Sequence, residues 1–89
     1  MMNENTLAEY LKIFTTATWM RGQAEDYEKE FAFLDAKRWY FKAFLAYRDA
    51  YNYASKFADP INKGAYEMMS YCKNKIDLMS QENYTECEI

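Results

Sequence analysis

Apolar side chains recur at intervals of three and four through most of this sequence, the spacing that lines one face of a helix. Leu7, Leu11, Phe14 and Ala17, with Tyr10 beside them, make the first such stripe. Thr6 and Glu9 stand just ahead of it as a Thr-x-x-Glu capping box, in which each side chain can satisfy a backbone amide of the first turn. Gly22 follows as a stop. The pattern predicts a first helix over about 6–21.

A second, longer helix is expected over 25–58. Its opening is the acidic run Glu25, Asp26, Glu28 and Glu30, since carboxylates suit the positive end of a helix dipole. Such a helix spans about 33 residues and roughly 50 Å, a length that invites a bend. Asp35, Lys42, Asp49 and Lys56 fall seven apart with alternating sign and mark a solvent stripe. Two apolar rows flank it: Tyr27, Phe31, Leu34, Phe41 and Leu45 in one, and Phe33, Tyr40, Phe44, Tyr47, Tyr51 and Ala54 in the other. A helix buried on two faces needs more than one neighbour. Asp59-Pro60 closes this helix and opens a third over 60–81, because the residue before proline leaves the helical region while proline suits the first helical position. Ile61, Ala65, Met68, Cys72, Ile76 and Met79 give the third stripe.

The fold class expected is therefore all-α, a three-helix hairpin or bundle in one domain over 1–81, with a polar acidic tail at 82–89. Composition agrees: valine is absent, and glycine and proline number 2 and 1, too few for the turns of a sheet protein. It adds one complication. Six Phe, two Trp and nine Tyr are more ring surface than a small three-helix core hides, so completion by self-association is expected. Phe33, Tyr40, Phe44 and Tyr47 are the candidate interface residues.

The chemistry that a sequence can advertise is mostly missing. With no histidine, the commonest general base and most transition-metal sites are gone, and no phosphate-binding glycine loop or nucleophile elbow occurs. Neither a catalytic residue, a cofactor nor a metal is expected. No membrane span is long enough, charges at Glu9 and Lys12 argue against a signal peptide, and two unpaired-looking cysteines suit a reducing cytoplasm.

Charge is distributed unevenly: residues 1–36 sum to −4, residues 37–75 to +5 and residues 76–89 to −4. A basic middle can hold an anionic ligand or pack against the acidic ends, and both readings stand open. Within it, Lys37-Arg38-Trp39-Tyr40-Phe41-Lys42 brackets three rings with three cations, an arrangement suited to phosphate and base stacking. Tyr47, Arg48, Tyr51 and Asn52 make a second cluster, and Lys73 and Lys75 add charge from the third helix. The ligand-binding candidates are Arg38, Trp39, Arg48, Tyr51 and Lys73. Nothing stronger points to DNA or RNA.

The segment Tyr66-Glu67-Met68-Met69-Ser70-Tyr71-Cys72-Lys73-Asn74-Lys75-Ile76, with the size and the aromatic, histidine-free helices, resembles small phage-encoded anti-defence proteins, the helical sponges that sequester cyclic oligonucleotide signals between subunits. The Glu-Ala-x-Met-Trp pattern of that family is absent, so no site residue carries over. The resemblance implies a homo-oligomeric, non-enzymatic inhibitor enclosing an anionic nucleotide-like molecule. Two alternatives stand beside it: an inhibitor or adaptor that docks an aromatic helix face on a host protein, and a structural assembly subunit.

Overall fold

A computed structural model describes residues 4–56 and 62–81. Three helices, α1 (Glu4–Lys29), α2 (Phe33–Ser55) and α3 (Asn62–Met79), run up, down and up. The all-α expectation holds for the described residues. The candidate Asp59-Pro60 boundary, Ile61 and the tail at 82–89 lie outside them.

Small residues at heptad spacing organise the packing. Along α2, Ala36, Tyr40, Ala43, Tyr47, Ala50 and Ala54 alternate steps of four and three, and all are buried. That spacing keeps one seam facing the neighbouring helices at the shallow crossing angle of coiled-coil-like packing. α1 answers with Tyr10, Ala17 and Ala24, and α3 with Ala65, Cys72 and Met79, each set seven apart. Alanine at the contact lets helix axes approach closely, and larger partly buried side chains such as Phe14, Met20, Phe44 and Ile76 close the flanks. α1 and α3 each pack along α2 and meet one another through side chains: Arg21 with Met68, Glu25 with Tyr71 and Glu28 with Lys75.

The helix boundaries correct the sequence reading in two places. α1 does not stop at Gly22 but continues seven residues further, and Thr6 and Glu9 sit within it. The buried stripe explains this, since Ala17 and Ala24 bracket Gly22 and tertiary burial outweighs the roughly 1 kcal/mol helix penalty of one glycine. Gly22 itself has no positive φ.

The second correction concerns the acidic run, which ends α1 instead of opening α2. A continuous helix over 25–58 is interrupted at Glu30–Ala32. Phe31 takes a left-handed φ of 61°. The Ala32 amide then donates to the Tyr27 carbonyl (3.0 Å) and the Phe31 amide to the Glu28 carbonyl (3.0 Å), the paired bonds of a Schellman cap. Carboxylates at a helix carboxyl end oppose its dipole. Here they have partners: Tyr40 Oη donates to Glu28 Oε1 (2.7 Å), Lys75 Nζ to Glu28 Oε2 (2.9 Å), and Tyr71 Oη to Glu25 Oε2 (3.0 Å).

The expectation that α2 buries both apolar rows is also corrected. The row containing Tyr40, Tyr47 and Ala54 is inside, whereas Leu34 and Phe41 of the other row are exposed, as is Phe31 in the preceding turn. One heptad seam is enough to dock both neighbours, so the second row is left facing outward. α1 likewise buries Tyr10 and Ala17 but exposes Leu7 and Leu11.

Candidate functional site: the outer face of α2

The outer face of α2 carries a second line of large side chains. Leu34, Phe41 and the half-buried Leu45 lie along it, and Phe31 continues the line at 74% exposure just before the helix begins. Phe31 is braced edge-on against Phe33, with ring centroids 6.0 Å apart. Arg38 and Arg48 sit in the same line, each beside an acidic neighbour: Arg38 Nη1 is 3.5 Å from Asp35, and Arg48 Nη2 is 3.9 Å from Asp49. Both pairs are exposed, where an ion pair contributes at most about 1 kcal/mol. Arg48 is in phase with Phe41 and Leu45, and its charge carries no burial cost because its side chain is half exposed.

Against α3 the ridge falls into a shallow groove of about 320 Å³ lined by Lys37, Arg38, Phe41, Ile76 and Ser80. Two cations and a half-exposed ring thus face the same space, a combination that suits an anion attached to a flat or apolar body.

The five ligand-binding candidates are not brought together. Arg38 lines the groove. Trp39, one residue on and so about 100° round the helix, turns toward α1 and meets Trp19 edge-on at 5.5 Å, with Lys42 Nζ 4.3 Å from its ring centroid. Arg48 is ten residues beyond Arg38, about 15 Å along the axis. Tyr51 packs on Tyr66 of α3 at 5.8 Å, and Lys73 is held by Asp77 at 3.0 Å. The candidate interface residues are drawn inward. Tyr40 and Tyr47 are wholly buried in the chain's own core, and Phe33 and Phe44 pack against it. Aromatic periodicity could not distinguish a self-contact from a core contact.

Lys37, Phe41 and Ile76 are the groove residues absent from the candidate set. The first two stood in the noted cation–ring run, but Phe41 was assigned to a buried row, and only the Ala36-Ala43-Ala50 heptad would have shown which row goes in.

Behind this face the titratable groups are structural. Burial, and then the hydrogen bond to Glu28, raises the Tyr40 hydroxyl above the ordinary phenol range. Burial also raises Tyr47, whose hydroxyl lies 2.7 Å from Thr18 Oγ1, and Tyr71. The hydrogen bond with Glu28 holds the Lys75 ammonium above its usual value. The buried Cys72 thiol is pushed up to about 12 by desolvation, which leaves it protonated and a poor nucleophile at neutral pH. Part of the basic middle therefore packs against the acidic end of α1 through Lys75, while Lys37 and Arg38 remain at the groove. Among the described residues no cluster of three or more His, Cys, Asp or Glu side chains is placed to hold a metal ion, and no helix is long and apolar enough to cross a membrane.

Compared with models of known families, with curated proteins and with solved structures, the chain finds no match. Its functional reading rests on this geometry.

Proposed function

We propose that this protein is a non-enzymatic binder whose working surface is the outer face of α2. The observation that carries the reading is the line Phe31, Leu34 and Phe41, which the chain's own helices leave in water, with the half-buried Leu45 continuing it, although a complete buried seam runs along the other side of α2. Aligned apolar side chains interleaved with arginines are the composition of a contact patch, where rings and guanidinium groups contribute most of the binding energy. A histidine-free sequence and a buried, protonated Cys72 support a role without turnover and agree with a reducing cytoplasm.

Native mass spectrometry of the purified protein tests the reading. A species heavier than the 10.7 kDa chain is expected, either an oligomer or the chain with a retained partner. A Leu34→Ser/Phe41→Ser variant is expected to lose that species with its helical melting curve little changed, since both side chains are about half exposed. Retention of the heavier species by this variant sinks the reading.

A second reading, sequestration of an anionic nucleotide-like signal, is favoured by the convergence of Lys37, Arg38 and the Phe41 ring on the groove. Calorimetry with mononucleotides and cyclic oligonucleotides checks it. Binding heat that disappears in Lys37→Ala/Arg38→Ala supports this reading; no heat at high protein concentration removes it.

A further inference from the structure

We propose that the partner on this face is a second copy of the same chain, laid antiparallel so that Leu34 of each copy lies level with Leu45 of the other and Arg38 lies level with Phe41. The proposal rests on the outer face of α2 being the working surface, and it names the occupant, the direction and the register.

Direction follows from the spacing. Leu34, Arg38, Phe41, Leu45, Arg48 and Asn52 alternate steps of four and three, so the outer line has the form of a coiled-coil seam in its own right. Along one flank of that seam run Asp35, Lys42, Asp49 and Lys56, seven apart and alternating in sign. Along the other run Lys37, Phe44 and Tyr51, of which Phe44 and Tyr51 pack into the chain's own hydrophobic clusters. In a parallel pair each flank meets the opposite flank of the partner, which would set the charged row against rings. In an antiparallel pair each flank meets its own kind, and the alternating row can neutralise itself.

Register follows from charge. Bringing Phe41 level with Leu45 sets Arg38 against Arg48, Asp35 against Asp49 and Lys42 against Lys42, three matches of like charge on like. Moving one heptad toward the carboxyl end matches Asp35 with Lys56 and Lys42 with Asp49, but it lays Phe41 on Asn52 and sets Leu34 beyond the described end of α2. One heptad the other way, all conditions are met. Leu34 and Leu45 pair twice about the twofold axis, each Arg38 guanidinium lies over the Phe41 ring of the other copy, Arg48 comes level with Phe31, and Asp35 meets Lys42 on both sides. Each α2 then overlaps the other over residues 33–46, about 21 Å of seam.

Sedimentation velocity over a concentration series tests this, with circular dichroism confirming that each variant is folded. The wild-type chain is expected to show a concentration-dependent dimer. Asp35→Lys, at a position whose side chain is about half exposed, and Lys42→Asp, at an exposed one, are each expected to weaken it roughly tenfold, because two attractive pairs become repulsive. An equal mixture of the two variants is expected to recover wild-type affinity, since two lysines on one copy then face two aspartates on the other. Tightening by Asp35→Lys alone would overturn this register in favour of the one that opposes Asp35 to Asp49. A dimer abolished by Phe41→Glu but not recovered in the mixture would overturn the register and leave the face standing. A wild-type chain that stays monomeric at every concentration would overturn the self-partner, while the double-serine variant separately decides whether the face binds anything else.

Discussion

Lys75 of α3 lies 2.9 Å from Glu28 of α1, and this contact joins two helices that otherwise pack mainly along α2. The pair is about three-quarters buried and also takes in Tyr40, whose hydroxyl donates to the other Glu28 oxygen. Lys75→Met is expected to lower stability by about 1.5–3 kcal/mol, the range for a hydrogen bond to a charged group. Glu28→Gln is expected to cost at least as much, because its single amide oxygen can accept from Tyr40 or from Lys75 but not from both, and its NH2 then faces the other donor. Urea melts of the two single variants and the double variant check the coupling.

Gly22 lies inside α1 and a Cβ built there meets nothing within 4 Å. Gly22→Ala is therefore expected to stabilise the protein by about 0.5–1 kcal/mol, through helix propensity and a less flexible unfolded chain. A rise in the thermal midpoint checks it, and a fall would show that the helix does not pass through this residue.

Phe31 occupies the left-handed cap position that glycine favours, at a backbone cost of about 1–2 kcal/mol for a residue with a Cβ. Phe31→Gly is expected to raise monomer stability, since the ring is mostly in solvent. The same substitution is expected to weaken association. Opposite signs in melting and sedimentation would show that strain at this turn is kept for the surface and not for the fold.

The seam alanines have no room to grow. Ala43 and Ala50 are fully buried between α2 and its neighbours, so Ala43→Leu or Ala50→Leu is expected to cost 1 to 3 kcal/mol or more by forcing helices apart, approximately the range for overpacked cores. Chemical denaturation measures the loss, and unchanged stability would contradict close approach at this seam.

Alkaline pH should loosen the bundle. Tyr40, Tyr47, Tyr71, Cys72 and Lys75 all hold their protons more tightly in the fold than in the unfolded chain, where the thiol and the phenols titrate near 9.0 and 10.0. A raised folded value gives stability that is complete below the unfolded value and is lost as pH climbs through the folded one. From these groups no change is expected between about pH 7 and 8.5, then a fall above about pH 9. Thermal midpoints across that window check it, and Tyr40→Phe should flatten the fall.

Fold class and the number of helices were legible because apolar spacing changes little with tertiary context. Boundaries were less so. The stop at Phe31 carries no glycine, while the glycine that looks like a stop lies in mid-helix where Ala17 and Ala24 hold it. The site was legible as a set of positions but not as a side: Leu34, Phe41 and Leu45 read as a row from spacing alone, and their exposure depends on a competing row of alanines that hydrophobicity ranks below phenylalanine. The cation–ring run at 37–42 was visible as well, yet a helix deals its members in every direction, so Arg38 and Trp39 part company.

The two seams of α2 lie on roughly opposite sides of one helix and share a seven-residue repeat. Adding two residues to its middle would turn everything beyond by about 200°, carrying the outer ridge inward and the alanines out. Length variants of this protein should therefore survive only in whole heptads, each lengthening the rod by about 10 Å, so that its size is quantised by the same repeat that packs it.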